Sequence, residues 1–357
     1  FGSSPFTQAR LLSLVWAAMV ATLALGAACG SSRLVARRVA SEVVRASVLA
    51  RHWAPSNRRF AVLAHSWARG SSPLATTGAG NGGEQQRVCV LMHGILGSKS
   101  NWNTPAKQLS QRIGPRGWSV LQIDHRAHGQ SAAGEPPHTL EACADDVLET
   151  LRAAGIRPDV AELVVCGHSF GGKVALAVLR SLLEAGAPPR MTWLFDSIPG
   201  EPVVQSLEDQ RREQSVSFVL GVVEAAASRG AYADRAALVQ ALVDQHGLAK
   251  PLAQWVAQSV RNSDCGGVVL GYDVETIRAL YDAYRSTCFW EFLEGGHADV
   301  GVVVAGRNQH AWGAENLERL RSCEERRVRT AVLEGAGHNV HVDDLPGLLT
   351  TIEPTFD

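Results

Sequence analysis

The chain has 357 residues, 46% of them hydrophobic, which is longer than one compact domain usually needs and predicts a large core with an insertion and an N-terminal extension. Its 34 Lys and Arg side chains balance 35 Asp and Glu, so no basic footprint for nucleic acid or an anionic membrane exists and neither is expected as a partner of the folded part. The seven cysteines are odd in number, scattered and without paired metal-ligand spacing; they read as thiols of a reducing compartment, several of them buried.

The even balance hides an asymmetry. Residues 1–83 hold nine arginines, no lysine and a single acid, Glu42. An Arg- and Ser-rich, acid-poor N-terminus has the composition of an organellar transit peptide, and a chloroplast address, with mitochondrion as the alternative, is expected for residues 1–57. Within it the run from Leu11 to Cys29 approaches the length of a bilayer span. Membrane association is therefore expected only through residues 11–29, as an anchor or secretory signal in place of a transit peptide.

The folded part is expected from about residue 58. FAVLAHSW, from Phe60, reads as a strand, and a Gly/Ser/Thr/Asn loop follows from Gly70 to Gly83. Short apolar runs then alternate with helical periodicity: Val88–Met92, a helix capped at Thr104-Pro105, Trp118–Ile123, a helix opened by Thr139, Glu162–Cys166, a helix over Phe170–Glu184, and Met191–Phe195. Continuous apolar strands separated by helices predict an α/β fold with a mostly parallel sheet covered on both faces. Residues 199–296 read as helices alone (Val216–Ser228, Ala231–His246, Pro251–Arg261, Val274–Trp290), a helical cap inserted into a core made of 58–198 and 297–357. Strands resume at Val300–Ala305 and Val328–Leu333.

The sharpest motif is Gly167-His168-Ser169-Phe170-Gly171, directly after an apolar strand and directly before a helix. That context is a nucleophile elbow: a strained turn exposes Ser169, and Gly167 and Gly171 leave room for it. The helix N-terminus and the Phe170 N–H are placed to hold an oxyanion. A second donor is expected from His93-Gly94-Ile95-Leu96-Gly97, Ile95 being preferred and Leu96 the alternative. A serine hydroxyl needs a base, and His338, in the glycine turn after the last strand, is favoured over His341. The acid is read as Asp196, at the end of the preceding strand MTWLF. Arg307 to His310 offer no carboxylate after the next strand, Asp299 should lie at the opposite sheet edge, and Asp343 and Asp344 look like helix N-terminal residues. His93 and His168 read as packing and hydrogen-bonding support.

Together HGILGS, DHRAHGQS, GHSFGGK, LFDSIPG and GAGHNVH resemble the α/β-hydrolase fold superfamily from about Phe60 to the C-terminus, and within it the subgroup of bacterial acyl esterases and mitochondrial abhydrolase-domain proteins, especially plant and algal plastid members. The resemblance implies an eight-stranded sheet with a helical cap, an acid after the sixth strand, which maps onto Asp196, and a supporting role for the loop Asp124–Ser131. It implies attack of Ser169 on a small-molecule ester or thioester, with no metal or organic cofactor. An acyltransferase or carbon–carbon bond hydrolase on the same residues is the neighbouring reading. A ligand-binding or receptor protein on the same fold is the one from another class. Trp255, Tyr272, Tyr281, Tyr284, Phe289, Trp290 and Phe292 are candidates for an acyl pocket, with core packing as the more ordinary use of such side chains. Oligomeric state is not readable from the sequence.

Overall fold

A computed structural model describes residues 61–69, 85–203 and 206–357. The expected transit segment 1–57, Leu11–Cys29 and Cys29 itself lie outside the described residues. The main sheet has seven strands: β1 (His65–Trp67), β2 (Arg87–Met92), β3 (Trp118–Ile123), β4 (Glu162–His168), β5 (Met191–Phe195), β8 (Val300–Ala305) and β9 (Val328–Leu333), in the order β1-β3-β2-β4-β5-β8-β9. Only β1 runs antiparallel, against β3; all other pairs are parallel. The sheet is thus mostly parallel as expected. It has seven strands among the described residues where the resemblance implied eight, and FAVLAHSW supplies one of the seven, a three-residue strand at one edge.

Burial explains the apolar runs. Every residue of β3, β5 and β8 is buried, as a sheet covered on both faces requires. Helices α1 (Asn103–Ile113), α2 (Leu140–Ala153), α3 (Phe170–Glu184), α10 (Gln309–Cys323), α11 (Val340–Asp343) and α12 (Leu345–Ile352) connect or flank these strands. Thr139 caps α2 as read from sequence, its side chain accepting from the Ala142 N–H. At α1 a short 3-10 turn, Lys99–Trp102, precedes the helix, so the expected cap at Thr104 falls inside it instead.

The segment between β5 and β8 holds α4 (Leu207–Arg212), α5 (Val216–Arg229), α6 (Arg235–Asp244), α7 (Lys250–Val256), α8 (Val274–Ser286) and α9 (Trp290–Glu294). It also holds an antiparallel hairpin, β6 (Val260–Asn262) and β7 (Val268–Leu270), which corrects the reading of helices alone. Each hairpin strand is three residues long, too short to show a period of two, and Gly266 and Gly267 at φ 90° and 76° form its turn. The reading of one helix over Val274–Trp290 also divides, since Thr287 leaves helical geometry and α9 starts afresh.

Candidate active site

The carboxyl ends of β4, β5, β8 and β9 meet along one sheet edge, where α/β folds bind their ligands. Register fixes the neighbours. His168 lies opposite Phe195, Phe195 opposite Val303, and Ala305 opposite Leu333, so the residues after β4 and β5 are adjacent. The Ser169 N–H donates to the Phe195 carbonyl at 3.0 Å, and the Asp196 N–H to Val303 at 2.7 Å.

Ser169 sits at φ 52°, in the left-handed region, between β4 and α3. The turn is possible only because its flanks lack side chains. A Cβ on Gly167 would come within 2.0 Å of the Gly171 carbonyl oxygen, and one on Gly171 within 2.6 Å of the His93 carbonyl oxygen. Gly172 is under a similar constraint from Ser197, which donates its hydroxyl hydrogen to the Ser169 carbonyl at 2.6 Å. As the first residue of α3, Phe170 has an N–H with no intrahelical acceptor.

His338 and Asp196 come together. The His338 Nδ1–H donates to Asp196 Oδ2 at 2.7 Å, and Ser169, Asp196 and His338 line one cavity. Asp196 is buried at φ 44°, and its carboxylate takes four donors: Ala305 N–H at 3.1 Å and Trp312 Nε1 at 2.9 Å on Oδ1, Asn308 Nδ2 at 2.6 Å and His338 on Oδ2. Asn308 occupies the stretch where the sequence lacks a carboxylate, and it now serves the carboxylate from the neighbouring strand. Neither Asn308 nor Trp312 was singled out from sequence as an Asp196 ligand; a Trp four residues after an Asn at a strand end is a weak signal for it.

The alternatives separate clearly. Asp299 precedes β8 at the far edge and pairs with Arg327 at 2.6 Å. Asp344 caps α12, and Asp343 accepts from the Gly337 N–H at 2.8 Å, steadying the turn that carries His338. His341 is buried against Trp102, ring centroids 4.5 Å apart, and burial pushes its pKa down to about 4. His168 turns away from bulk water and donates from Nε2 to the His338 carbonyl at 2.8 Å; burial and the neighbouring His338 hold it well below the usual histidine range.

The glycine turn after β2 lies against Ser169: a Cβ on Gly94 would stand 3.3 Å from the Ser169 Cβ. Leu96, at φ 62°, gives its N–H to His128 Nε2 at 3.0 Å, so that N–H is already engaged. His93 links the turn to the next loop, donating from Nδ1 to the Gly94 carbonyl at 2.7 Å and accepting the His125 N–H at Nε2, 3.1 Å. The loop Asp124–Ser131 is the support that the resemblance implied. Buried Asp124 accepts from Lys99 Nζ at 2.7 Å and Gln130 N–H at 2.9 Å, and Arg126 pairs with Asp146 at 2.7 Å. Burial keeps His93 and His125 below their ordinary pKa and takes His128 down to about 3, so all three are neutral at pH 7.

The β5–β8 segment closes over this edge. Tyr284 of α8 lines the same cavity as Ser169, and burial raises its phenol pKa. Lys173, one turn into α3 and fully buried, donates to the Tyr284 and Thr287 carbonyls, both at 2.6 Å, with its ammonium 4.5 Å from the Tyr284 ring centroid. Of the aromatic candidates, Tyr281, Tyr284 and Trp255 line cavities, while Phe289 and Trp290 are core. Tyr272 bonds the Leu96 carbonyl at 3.1 Å, and Phe292 packs edge-on against Phe289. Among the described residues no cluster of His, Cys, Asp and Glu could hold a metal ion, and no helix is long and apolar enough to cross a membrane.

Comparison with known proteins agrees with this layout. Residues 89–348 match the model of the alpha/beta hydrolase family. The sn-1-specific diacylglycerol lipase ABHD11 of Mus musculus is 41% identical over 87 residues, 24% of this chain and 26% of that protein. A putative esterase/lipase of Haemophilus influenzae is 30% identical over 91 residues, 26% and 28% of the two chains. The chain thus spans about a quarter of the length of the curated relatives it matches. Among solved structures, a marine microorganism esterase superposes with a TM-score of 0.62 at 15% identity, covering 83% of this chain and 99% of its own, and a thioesterase domain from the curacin biosynthetic pathway with 0.53 at 20% identity, covering 76% and 92%. With a family match across most of its length and the elbow, sheet order and strand-edge residues in register, the chain belongs to the alpha/beta hydrolase family.

Proposed function

We propose that the protein is a serine hydrolase that cleaves a carboxylic ester or thioester through an acyl-enzyme on Ser169, with His338 as base, Asp196 as acid, and Ile95 and Phe170 N–H groups as the oxyanion hole. The observation that carries this reading is the 2.7 Å bond from His338 Nδ1 to a buried, four-donor Asp196 beside an elbow serine in one cavity. With Nδ1–H fixed on Asp196, Nε2 is the free base. It takes the Ser169 hydroxyl proton as Oγ bonds to the carbonyl carbon; the oxyanion forms against the two N–H groups. Collapse breaks the bond to the alkoxide or thiolate, which leaves with the proton from His338, and water repeats the sequence to release the acid. The names of the lipase and esterase relatives support an ester substrate. Residues 199–296 act as the cap over a core of 58–198 and 297–357, and the Arg-rich segment 1–57 is the address for import into the chloroplast, the mitochondrion being the second destination.

The test is turnover of p-nitrophenyl esters from two to ten acyl carbons, with intact mass after acid quenching. Turnover with a single acyl adduct on Ser169, both absent in Ser169→Ala, is the expected result. A folded protein that binds these esters and never becomes acylated overturns the reading in favour of a binding protein. Transfer of the acyl group to added alcohols in preference to water would make it an acyltransferase. For the address, residues 1–57 fused to a fluorescent protein should direct it into plastids; retention in the secretory pathway contradicts this.

A further inference from the structure

Two cavities meet at Ser169 and His338, and their walls differ in chemistry. The larger, about 580 Å³, adds Val219, Leu252, Trp255 and Val342 to the residues the two share. The smaller, about 200 Å³, adds Ser217, Arg285 and His310, and Glu213 stands in the wall common to both. Tyr281, Tyr284 and Arg285 stand three and four residues apart on α8, hence on one face, and all three line the smaller cavity. That face is fixed by Lys173 on the Tyr284 carbonyl and by the Tyr281 hydroxyl on Ser217 Oγ at 2.8 Å.

The two carboxylates that line this cavity are committed. Asp196 is saturated by four donors, and Glu213 pairs with His310 at 3.1 Å. Arg278 and Arg319 each hold a glutamate, Glu224 and Glu294, at 2.6 and 2.7 Å. Arg285 differs: it is half-buried at the cavity wall, and among the described residues no carboxylate or carbonyl holds its guanidinium. A partly buried guanidinium fork without an anion is a site for a carboxylate or phosphate.

We infer that Arg285 is a specificity-determining residue that receives an anionic group on the leaving side of the substrate, while the apolar cavity takes the acyl chain; this rests on Ser169 being the acylated nucleophile. The substrate class is then an acyl ester or thioester whose alcohol or thiol part bears a carboxylate or phosphate.

The test compares kcat/KM of the full chain for 4-octanoyloxybenzoate and 4-octanoyloxyphenyl phosphate against the neutral methyl 4-octanoyloxybenzoate, in the native protein and in Arg285→Ala, Arg285→Lys and Arg285→Glu. Each variant's ratio of anionic to neutral ester is compared with the native ratio, so intrinsic leaving-group reactivity cancels. The expected fall is roughly tenfold for Ala, the size of one charged hydrogen bond, with Lys between and Glu below Ala. A larger fall for the phosphate than for the carboxylate identifies the preferred anion. Ratios that stay at the native value in Ala and Glu overturn the inference while neutral-ester turnover upholds the hydrolase reading. Arg285 dependence for a half-ester with its carboxylate on the acyl side instead overturns the assignment of the two cavities. Loss of all three turnovers in native protein overturns both.

Discussion

Asp196 shows how a single residue's environment decides its use. Its carboxylate is held by four donors from three elements, so it cannot turn from His338, and its positive φ is a strain that those bonds sustain. Asp196→Asn would present an amide where the imidazole needs an acceptor; kcat is expected to fall by about four orders of magnitude, as in the general triad case. Asp299→Asn, at the far sheet edge on Arg327, should leave kcat within about twofold. Equal losses at the two positions would refute the acid assignment. Asn308→Asp tests the same site from the other side. The change removes an amide donor 2.6 Å from Asp196 Oδ2 and sets a second carboxylate in its place; kcat at pH 7 should drop by roughly tenfold or more. Ser169, His338 and Asp196 were legible because glycine turns and strand ends mark them. Asn308 and Trp312 were not, since hydrogen-bond donors arriving from a helix leave no spacing pattern.

At the scale of elements, two supports position the site. The Asp124–Ser131 loop carries His128, which holds the Leu96 N–H and so orients the turn presenting Ile95. His128→Ala should lower kcat by about 10²-fold, the cost of a misplaced oxyanion donor, with little change in KM. Equal loss in both parameters would mean that the loop binds substrate instead. The second support is Lys173, which ties α3 to the C-terminal turn of α8. Burial brings its pKa down to about 7, opposed by Cys288 and Glu201. Its proton is lost in the folded protein well below the ordinary lysine value of 10.5. Between about pH 7 and 10.5 the unfolded chain therefore holds the extra proton, and stability contributed at this site rises with pH. Urea midpoints of native protein relative to Lys173→Met should increase across that window; a flat difference would show that the lysine keeps its proton throughout. The hairpin β6–β7 was hidden in sequence for a related reason: three-residue strands carry too little periodicity to compete with the helical pattern around them.

For the whole molecule, the parallel sheet was legible because strands buried on both faces must be continuous apolar runs, and these recur with helices between them. The β5–β8 segment was legible as a change of period and not as a shape. Buried neutral histidines add a property of the entire fold that sequence spacing does not reveal. His341, at about 4, and His128, at about 3, both lie below the ordinary histidine value of 6.5. As pH falls from about 6.5 the unfolded chain protonates first, so stability declines, the His341 share being lost by about pH 4 and the His128 share by about pH 3. Thermal midpoints of His341→Phe should fall less steeply than native over pH 6.5 to 4. A native midpoint that is flat over that range would contradict the burial of these rings as neutral groups.

The central claim is that Ser169 is a nucleophile activated by His338. Stoichiometric reaction of the full chain with a fluorophosphonate, followed by peptide mapping, tests it most directly. One phosphonyl group per chain on Ser169, with the labelling vanishing in His338→Ala, is the expected result. Labelling of another residue, or none in protein whose circular dichroism shows it folded, would contradict it.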